Sequence, residues 1–319
     1  MNLLNILTRF YGKLHNYKGI PFWVLAPLRK VTRIVADVAL PRYLVKFHQK
    51  YQVNGEGVIV SFTSFPARIQ NVWKVVESLK NQSIRPDKII LWLSKEQFLS
   101  TDDIPLSLKE CEDSLFEIRM VDGDIRSHKK YYYAMQEFLD KTIVTCDDDI
   151  YYHPDMLLRL IQASKRYPGC ITANVTKQLR YNDVGELLPY MQWNREFKPY
   201  SSKNNVQIGI GGVLYPPNAL YHLALRRDLF TELAPLADDL WLNLMARLNN
   251  TPVVQTEQNI LCMPIKSEGP ALSSVNNGKE NMNDYQISQL RKWLRSEGLE
   301  DAFSIHYQVE SKKSFQKFK

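Results

Sequence analysis

Between residues 57 and 260 the chain alternates between two hydrophobic periods. "VIVSFT" (58–63), "KIILWL" (88–93), "LFEIRM" (115–120) and "TIVTC" (142–146) are short, nearly continuous apolar runs that predict strands. Between them, Ile69–Asn81 sets Val72, Val75, Val76 and Leu79 on one helical face, and Lys130–Leu139 reads as a second helix. A third helix runs from Pro154, a favoured first helical residue, to about Tyr167. Apolar strands separated by amphipathic helices predict an α/β fold whose parallel sheet is covered on both faces. In such sheets ligands bind beyond the carboxyl ends of the strands. Residues 174–207 break the pattern, with many polar residues and no period, as a binding loop or disordered segment does. "IGIGGVLYPP", a helix through "DDLWLNLMARL" and a strand "TPVVQT" follow, then a loop, a final helix and a tail. The expected division is a basic extension over 1–52, a catalytic-type domain over 53–262 and a C-terminal segment over 263–319.

The N-terminal pattern is different. "MNLLNILTRFY" places Leu3, Leu4, Leu7, Phe10 and Tyr11 at helical spacing beside Arg9 and Lys13. Two readings are open: an apolar face lying on an anionic membrane, or a helix packed on the protein's own core. "GIPFWVLAPL" is interrupted by Pro21 and Pro27 and falls short of the roughly 20 residues that cross a bilayer. No cleavable leader is expected, and the location expected is cytoplasmic, with the first of those two readings adding a peripheral place on the inner membrane face.

Charge sharpens this division. The 319 residues carry a formal +7. Residues 1–50 hold nine Lys/Arg against Asp37 alone, so the remainder, with 32 basic and 33 acidic residues, is close to neutral. A neutral body argues against a nucleic-acid footprint, and no nucleic-acid partner is expected. Hydrophobic residues at 45% and charged at 24% are those of a globular chain. Cys111, Cys146, Cys170 and Cys262 are scattered, which suits free buried thiols better than a disulfide framework or zinc site.

Two acidic groups carry candidate chemistry. In "IVTCDDDIYY" three aspartates follow the fourth strand. If the backbone stays extended, Asp147 and Asp149 point to one side and Asp148 to the other. Two such carboxylates repel unless a cation joins them or one is protonated, and oxygen donors suit Mg²⁺ or Mn²⁺. A metal held by two carboxylates keeps room for a diphosphate. The other reading is an acidic turn that caps the following helix. In "ADDLWLN", Asp238 and Asp239 start a helix, either as a base that removes a proton from an attacking alcohol or as ordinary N-terminal acids.

Five blocks in this order, "IVSFTSFPARIQNVWKVVESLKNQSIRPDKIILWL", "RSHKKYYYAM", "IVTCDDDIYY", "IGIGGVLYPP" and "LADDLWLN", resemble bacterial GT-A-fold glycosyltransferases related to family 2, of the polysaccharide-assembly type. The resemblance covers about residues 57–260. It implies a Rossmann-like, mostly parallel sheet with helices on both faces, to which the N-terminal helical extension is added. It also implies a nucleotide-sugar donor, with UDP favoured, and a metal site at Asp147 and Asp149 with Asp148 between them. By the same resemblance Thr63, Phe65 and Arg68 hold the base and ribose, and Gly211 and Gly212 line the donor sugar. Asp124 is a candidate partner of a uracil-type base, and Lys129 or Lys130 of the diphosphate. Asp239, paired with Asp238, maps to the base of inverting relatives. Tyr190 and Trp193 are either stacking platforms for an acceptor sugar or core residues, Tyr131–Tyr133 read as packing, and His128 as a polar surface residue. The chain departs from the family pattern after its second strand, where "LWLSKEQ" replaces an acidic pair, and after Cys262, where His306 is the sole histidine. The function implied is metal-dependent transfer of a sugar to a hydroxyl of a growing surface glycan or lipid-linked oligosaccharide. The alternatives are a HAD-like phosphatase, which would carry its acids after the first strand, and a non-catalytic glycan- or RNA-binding protein.

Overall fold

The computed structural model describes residues 2–16, 20–46, 53–193, 201–202, 204–256, 262–266 and 281–307. Helices α1 (Leu3–Asn16) and α2 (Phe22–Lys46) precede strand β1 (Val53–Thr63), α3 (Val72–Lys80), β2 (Ile84–Ser94), the single turn α4 (Leu106–Lys109) and β3 (Phe116–Val121). Then come α5 (Lys129–Glu137), β4 (Thr142–Thr145), β5 (Ile150–Tyr151), α6 (Met156–Arg166), β6 (Ile171–Ala173) and β7 (Thr176–Gln178). The chain continues through β8 (Ser201–Ser202), β9 (Asn205–Gln207), β10 (Val213–Tyr215), α7 (Arg227–Leu233), α8 (Asp238–Leu248), β11 (Val253–Gln255), β12 (Met263–Pro264) and α9 (Met282–Ser296).

The central sheet has the order β3-β2-β1-β4-β10-β6-β11-β8. β1 pairs in parallel with β2 and β4, β2 with β3, and β6 with β11; β10 and β8 run against their neighbours. The sheet is thus mostly parallel, as the apolar runs predict, and Rossmann-like, as the resemblance implies. Alternation explains why those runs have no polar face. Val58, Val60 and Phe62 of β1 join Leu91 and Leu93 of β2 in a core beneath α3 and α6. Ile59 faces the other way, with Ile90 and Trp92, against Ala134 of α5. A second large core gathers Trp241 and Leu244 of α8, Phe230 of α7 and Leu290 of α9. Cys111, Cys146 and Cys170 are buried free thiols, and Cys262 is a half-buried one.

The first of four details selects between the two open readings of α1, and the other three differ from the expectations. The apolar face of α1 turns inward: Leu4 and Tyr11 are buried in the first core, Leu3 and Leu7 pack against it, and Phe10 stays about half exposed. Residues 22–46 form one long helix despite Pro27 and Pro41, and among the described residues no helix is long and apolar enough to cross a membrane. Within 174–207, β7 pairs with β9 and β8 closes the sheet edge, because Thr176, Val206 and Gln207 are buried and need ladder partners; residues 194–200 and 203 lie outside the described residues, as does the tail "KKSFQKFK". His128 is fully buried rather than on the surface.

The burial of His128 dictates its protonation. Its Nε2–H donates to the Ala234 carbonyl at 2.8 Å, so Nδ1 accepts from the Tyr131 hydroxyl at 2.8 Å, and the ring stacks on Phe230 at 4.4 Å. Burial pushes its pKa down to about 4 from 6.5. The unfolded chain therefore binds a proton between pH 6.5 and 4 that the folded chain refuses, and stability is lost across that window on acidification. Raised carboxylates elsewhere act with the opposite sign, so the effect is read as a difference. The destabilisation by His128→Gln should shrink by about 2–3 kcal/mol between pH 7 and 4.5, measured from urea midpoints; a pH-independent difference contradicts the buried neutral ring.

Candidate active site

The acidic segment begins where the sequence places it. β4 ends at Thr145, and Cys146 still donates its N–H to the Ser61 carbonyl on β1 at 3.1 Å. The Asp147 N–H then donates to the buried Tyr152 hydroxyl at 2.7 Å, while the Asp149 carbonyl accepts from Ile265 N–H at 2.8 Å beside β12. Residues 148–149 form a turn. That overturns the expected alternation, which holds for extended backbone alone. Asp148 and Asp149 share the Arg68 guanidinium, with Nη1 at 2.7 and 2.9 Å. The second Asp148 oxygen accepts from the Ser64 hydroxyl at 2.6 Å. Arg68 is itself buried, its guanidinium 5.4 Å above the Phe65 ring.

Asp147 turns instead to Lys130. The Ser61 hydroxyl fixes the first turn of α5 by donating to the Lys130 carbonyl at 2.5 Å, and the Trp92 indole N–H donates to the same hydroxyl at 2.8 Å. The buried Lys130 ammonium lies 3.1 Å from Asp147 Oδ1 and 2.7 Å from Asp238 Oδ2. One cation therefore joins the end of β4 to the start of α8. Neither helix-start acid caps its own helix: the N-cap is Ala237, without a side-chain cap bond. Asp239 Oδ2 accepts from the Gly209 N–H at 3.0 Å, and its carbonyl accepts from the Gln207 amide at 3.2 Å.

Negative charge exceeds positive here. Asp147, Asp148, Asp149, Asp238 and Asp239 surround Arg68 and Lys130. Burial, then the neighbouring Asp147, pushes the Asp149 carboxyl up to about 6. Burial, then Asp238, pushes Asp239 up to about 7. Lys130 is held well above its ordinary value by Asp147 and Asp238, against the opposing effect of its burial. An all-oxygen donor set short of positive charge fits a hard divalent cation. Among the described residues no group of three or more His, Cys, Asp or Glu side chains is disposed to hold a metal, and of the expected pair Asp147 faces Lys130 while Asp149 faces Arg68.

The remaining nominated residues fall around this cluster unevenly. The Thr63 hydroxyl donates to the Trp92 carbonyl at 2.8 Å, at the carboxyl ends of β1 and β2. Asp124 pairs with Lys129 and also accepts from Gln97 and the Arg126 N–H, so of the two adjacent lysines it is Lys130 that reaches the acids. Gly211 lies against Val175 and Asn174, where a Cβ would come within 2.8 Å of the valine side chain. Gly212 has φ +82°, a conformation that suits glycine. Both shape the loop; the glycine facing the acids is Gly209, whose Cβ would sit 2.9 Å from Lys130 Nζ and 3.2 Å from Asp147 Oδ1. Trp193 is 3% exposed, in the core beside α8, with its indole N–H donating to the Leu188 carbonyl. That corrects the stacking-platform reading in favour of packing. Tyr190 is half-buried, with Lys177 Nζ 3.6 Å from its ring centroid. Sequence reasoning passed over Ser64, Tyr152 and Gly209. The first glycine of "GIGG" was a usable signal for Gly209; nothing in the sequence marks the other two.

No protein-family model matches the chain. No curated protein matches it either. Among solved structures, glucosyl-3-phosphoglycerate synthase from Mycobacterium tuberculosis with Mn²⁺, uridine diphosphate and phosphoglyceric acid is 12% identical, with TM-score 0.40 over 78% of this chain and 80% of that one. The 4-diphosphocytidyl-2C-methyl-D-erythritol synthase from Anaerococcus prevotii is 13% identical, with TM-score 0.40 over 76% and 97%. HddC from Yersinia pseudotuberculosis is 13% identical, with TM-score 0.32 over 53% and 77%. Superpositions this loose carry no argument, so the fold rests on strand order and the site on its own residues.

Arg68→Ala should leave Asp148 buried with a single hydroxyl partner. Breaking a buried ion pair from one side costs about 3–5 kcal/mol, so the urea midpoint should fall accordingly. Adding Asp148→Asn should recover part of the loss. A single variant as stable as the parent contradicts the pairing.

Proposed function

We propose that the chain transfers a glycosyl group from a nucleotide-diphosphate sugar to a hydroxyl of a growing glycan or lipid-linked acceptor, with residues 53–262 as the catalytic unit. The observation that carries this reading is the convergence of the strand-end and helix-start acids on the Lys130 ammonium. A HAD-like phosphatase would carry its strand-end acids after the first strand, whereas these follow β4, and a plain binding module does not require both acidic groups in one place.

Asp147 and Asp149 are the residues that would hold a divalent cation. Such an ion, when bound, offsets the charge of a departing diphosphate. Lys130 adds a compact positive charge at the same place, one that neutralises phosphate without demanding a fixed geometry. Asp239 is the proposed base. Its raised proton affinity places it near neutrality, where a carboxylate both stays available and accepts a proton effectively from the attacking hydroxyl. The Gly209 N–H holds its Oδ2 and so orients the carboxylate. The surplus of negative charge favours an oxocarbenium-like transition state. A base distinct from the acids that face the leaving group suits inversion at the anomeric carbon. Arg68 and Ser64 hold Asp148, and through the turn they set the position of Asp149.

A thermal-shift panel of UDP-, GDP- and CDP-sugars with and without Mn²⁺ or Mg²⁺ tests this reading. One nucleotide sugar should raise Tm in a metal-dependent way that Asp149→Ala abolishes; no response to any member overturns it. With that donor, turnover should rise as pH increases through about 7, because Asp239 is inactive while protonated. Asp239→Asn should lower kcat by about 100-fold or more with donor affinity largely retained. An unchanged kcat assigns the base elsewhere.

A further inference from the structure

The helix α2 is apolar on two sides. Its inner line, Leu25, Ala36, Leu40 and Leu44, is buried, the last three of them in the first core. Its outer side exposes Trp23, Leu28, Val31, Ile34, Val35 and Val38, of which Trp23 is 75% and Val38 60% exposed. The positions Leu28, Val31, Val35 and Val38 repeat at intervals of three and four, so they form one continuous stripe along the helix. A large apolar surface left open in this way marks an interaction face.

Charge identifies the occupant. Lys30, Arg42 and Lys46 are exposed on the same outer side. The one acid in residues 1–50, Asp37, is turned elsewhere, accepting from the Lys266 N–H at 3.5 Å. A second copy laid on this face would set lysines and arginines against their own equivalents, with no carboxylate between them. An anionic bilayer supplies both complements, hydrocarbon for the valine and leucine stripe and phosphate oxygens for the cations. Trp23 stands at the helix end, and tryptophan favours the level of the headgroups. The 25-residue helix, roughly 37 Å long, would lie in the plane of the interface rather than cross it.

We propose that the outer face of α2, not α1, docks the protein flat on an anionic membrane surface. This rests on exposure and charge in the extension and is independent of the catalytic reading.

Vesicle flotation of the full chain tests it, with phosphatidylcholine vesicles containing or lacking 30% phosphatidylglycerol. The protein should float with the anionic vesicles and not with the neutral ones. Lys30→Gln combined with Arg42→Gln should weaken partitioning about 30-fold, at about 1 kcal/mol for each residue near the surface. Val31→Asp with Val35→Asp should abolish it. Both double variants alter exposed side chains, so their melting temperatures and nucleotide-sugar shifts should match the parent. Three results overturn the proposal: no binding to anionic vesicles, equal binding by the variants, or light scattering that finds a dimer which Val31→Asp with Val35→Asp dissociates.

Discussion

A buried ammonium placed between carboxylates from distant parts of a chain is the constraint on which this architecture turns. Asp147 lies just past the end of a strand and Asp238 begins a helix, and each would carry an uncompensated charge without Lys130. The lysine is itself desolvated, so it stays charged only because the acids are there. The three groups require one another. Lys130 sits in the first turn of α5, and Ser61 ties that turn to the central strand β1, so the sheet sets where the charges meet. Its Nζ also lies where a side chain at position 209 would be, which makes glycine the residue that suits the loop there.

The balance of charge is nevertheless incomplete, and that has a physical meaning. Pairing has been achieved for Asp148, which is held by Arg68 and Ser64. Asp149 shares that one guanidinium, Asp239 has among the described residues no arginine or lysine of its own beyond the shared Lys130, and burial raises the proton affinity of all three carboxyls. A fold optimised for stability alone would replace such acids or supply further cations. Retained strain of this kind is typical of sites that wait for a charged ligand.

Much of the fold was legible because its signals are local. Apolar runs with helices between them specify a two-sided sheet, and chain order puts the aspartates at a strand end. What was not legible depends on tertiary neighbours. The turn at Asp148–Asp149 replaces extended backbone, so the paired direction inferred for Asp147 and Asp149 gives way to a shared Arg68. The role of a glycine depends on what its missing Cβ would strike, which separates Gly209 from Gly211 and Gly212 only in three dimensions. Trp193 and His128 are residue types found both inside and outside proteins, and it is the cores around α7 and α8 that enclose them. The outer face of α2 escaped because amphipathic analysis looks for contrast between faces, and this helix is apolar on both.

The extension is not a detached appendage. α1 packs on the same core as β1 and α3, and Asn5 meets the ring of His153, six residues beyond Asp147. Asp37 on α2 faces Tyr151 of β5 and the backbone of Lys266, while β5 pairs with β12 and Ile265 bonds the Asp149 carbonyl. A short path of hydrogen bonds thus runs from α2 through the β5–β12 pair to the acidic turn. Since β5 begins at the residue after Asp149, any force that orients α2 also orients the segment presenting that carboxylate. A surface that holds the outer face of α2 would therefore set the acids at a fixed height and angle above it, which is the geometric condition for acting on an acceptor carried by that same surface.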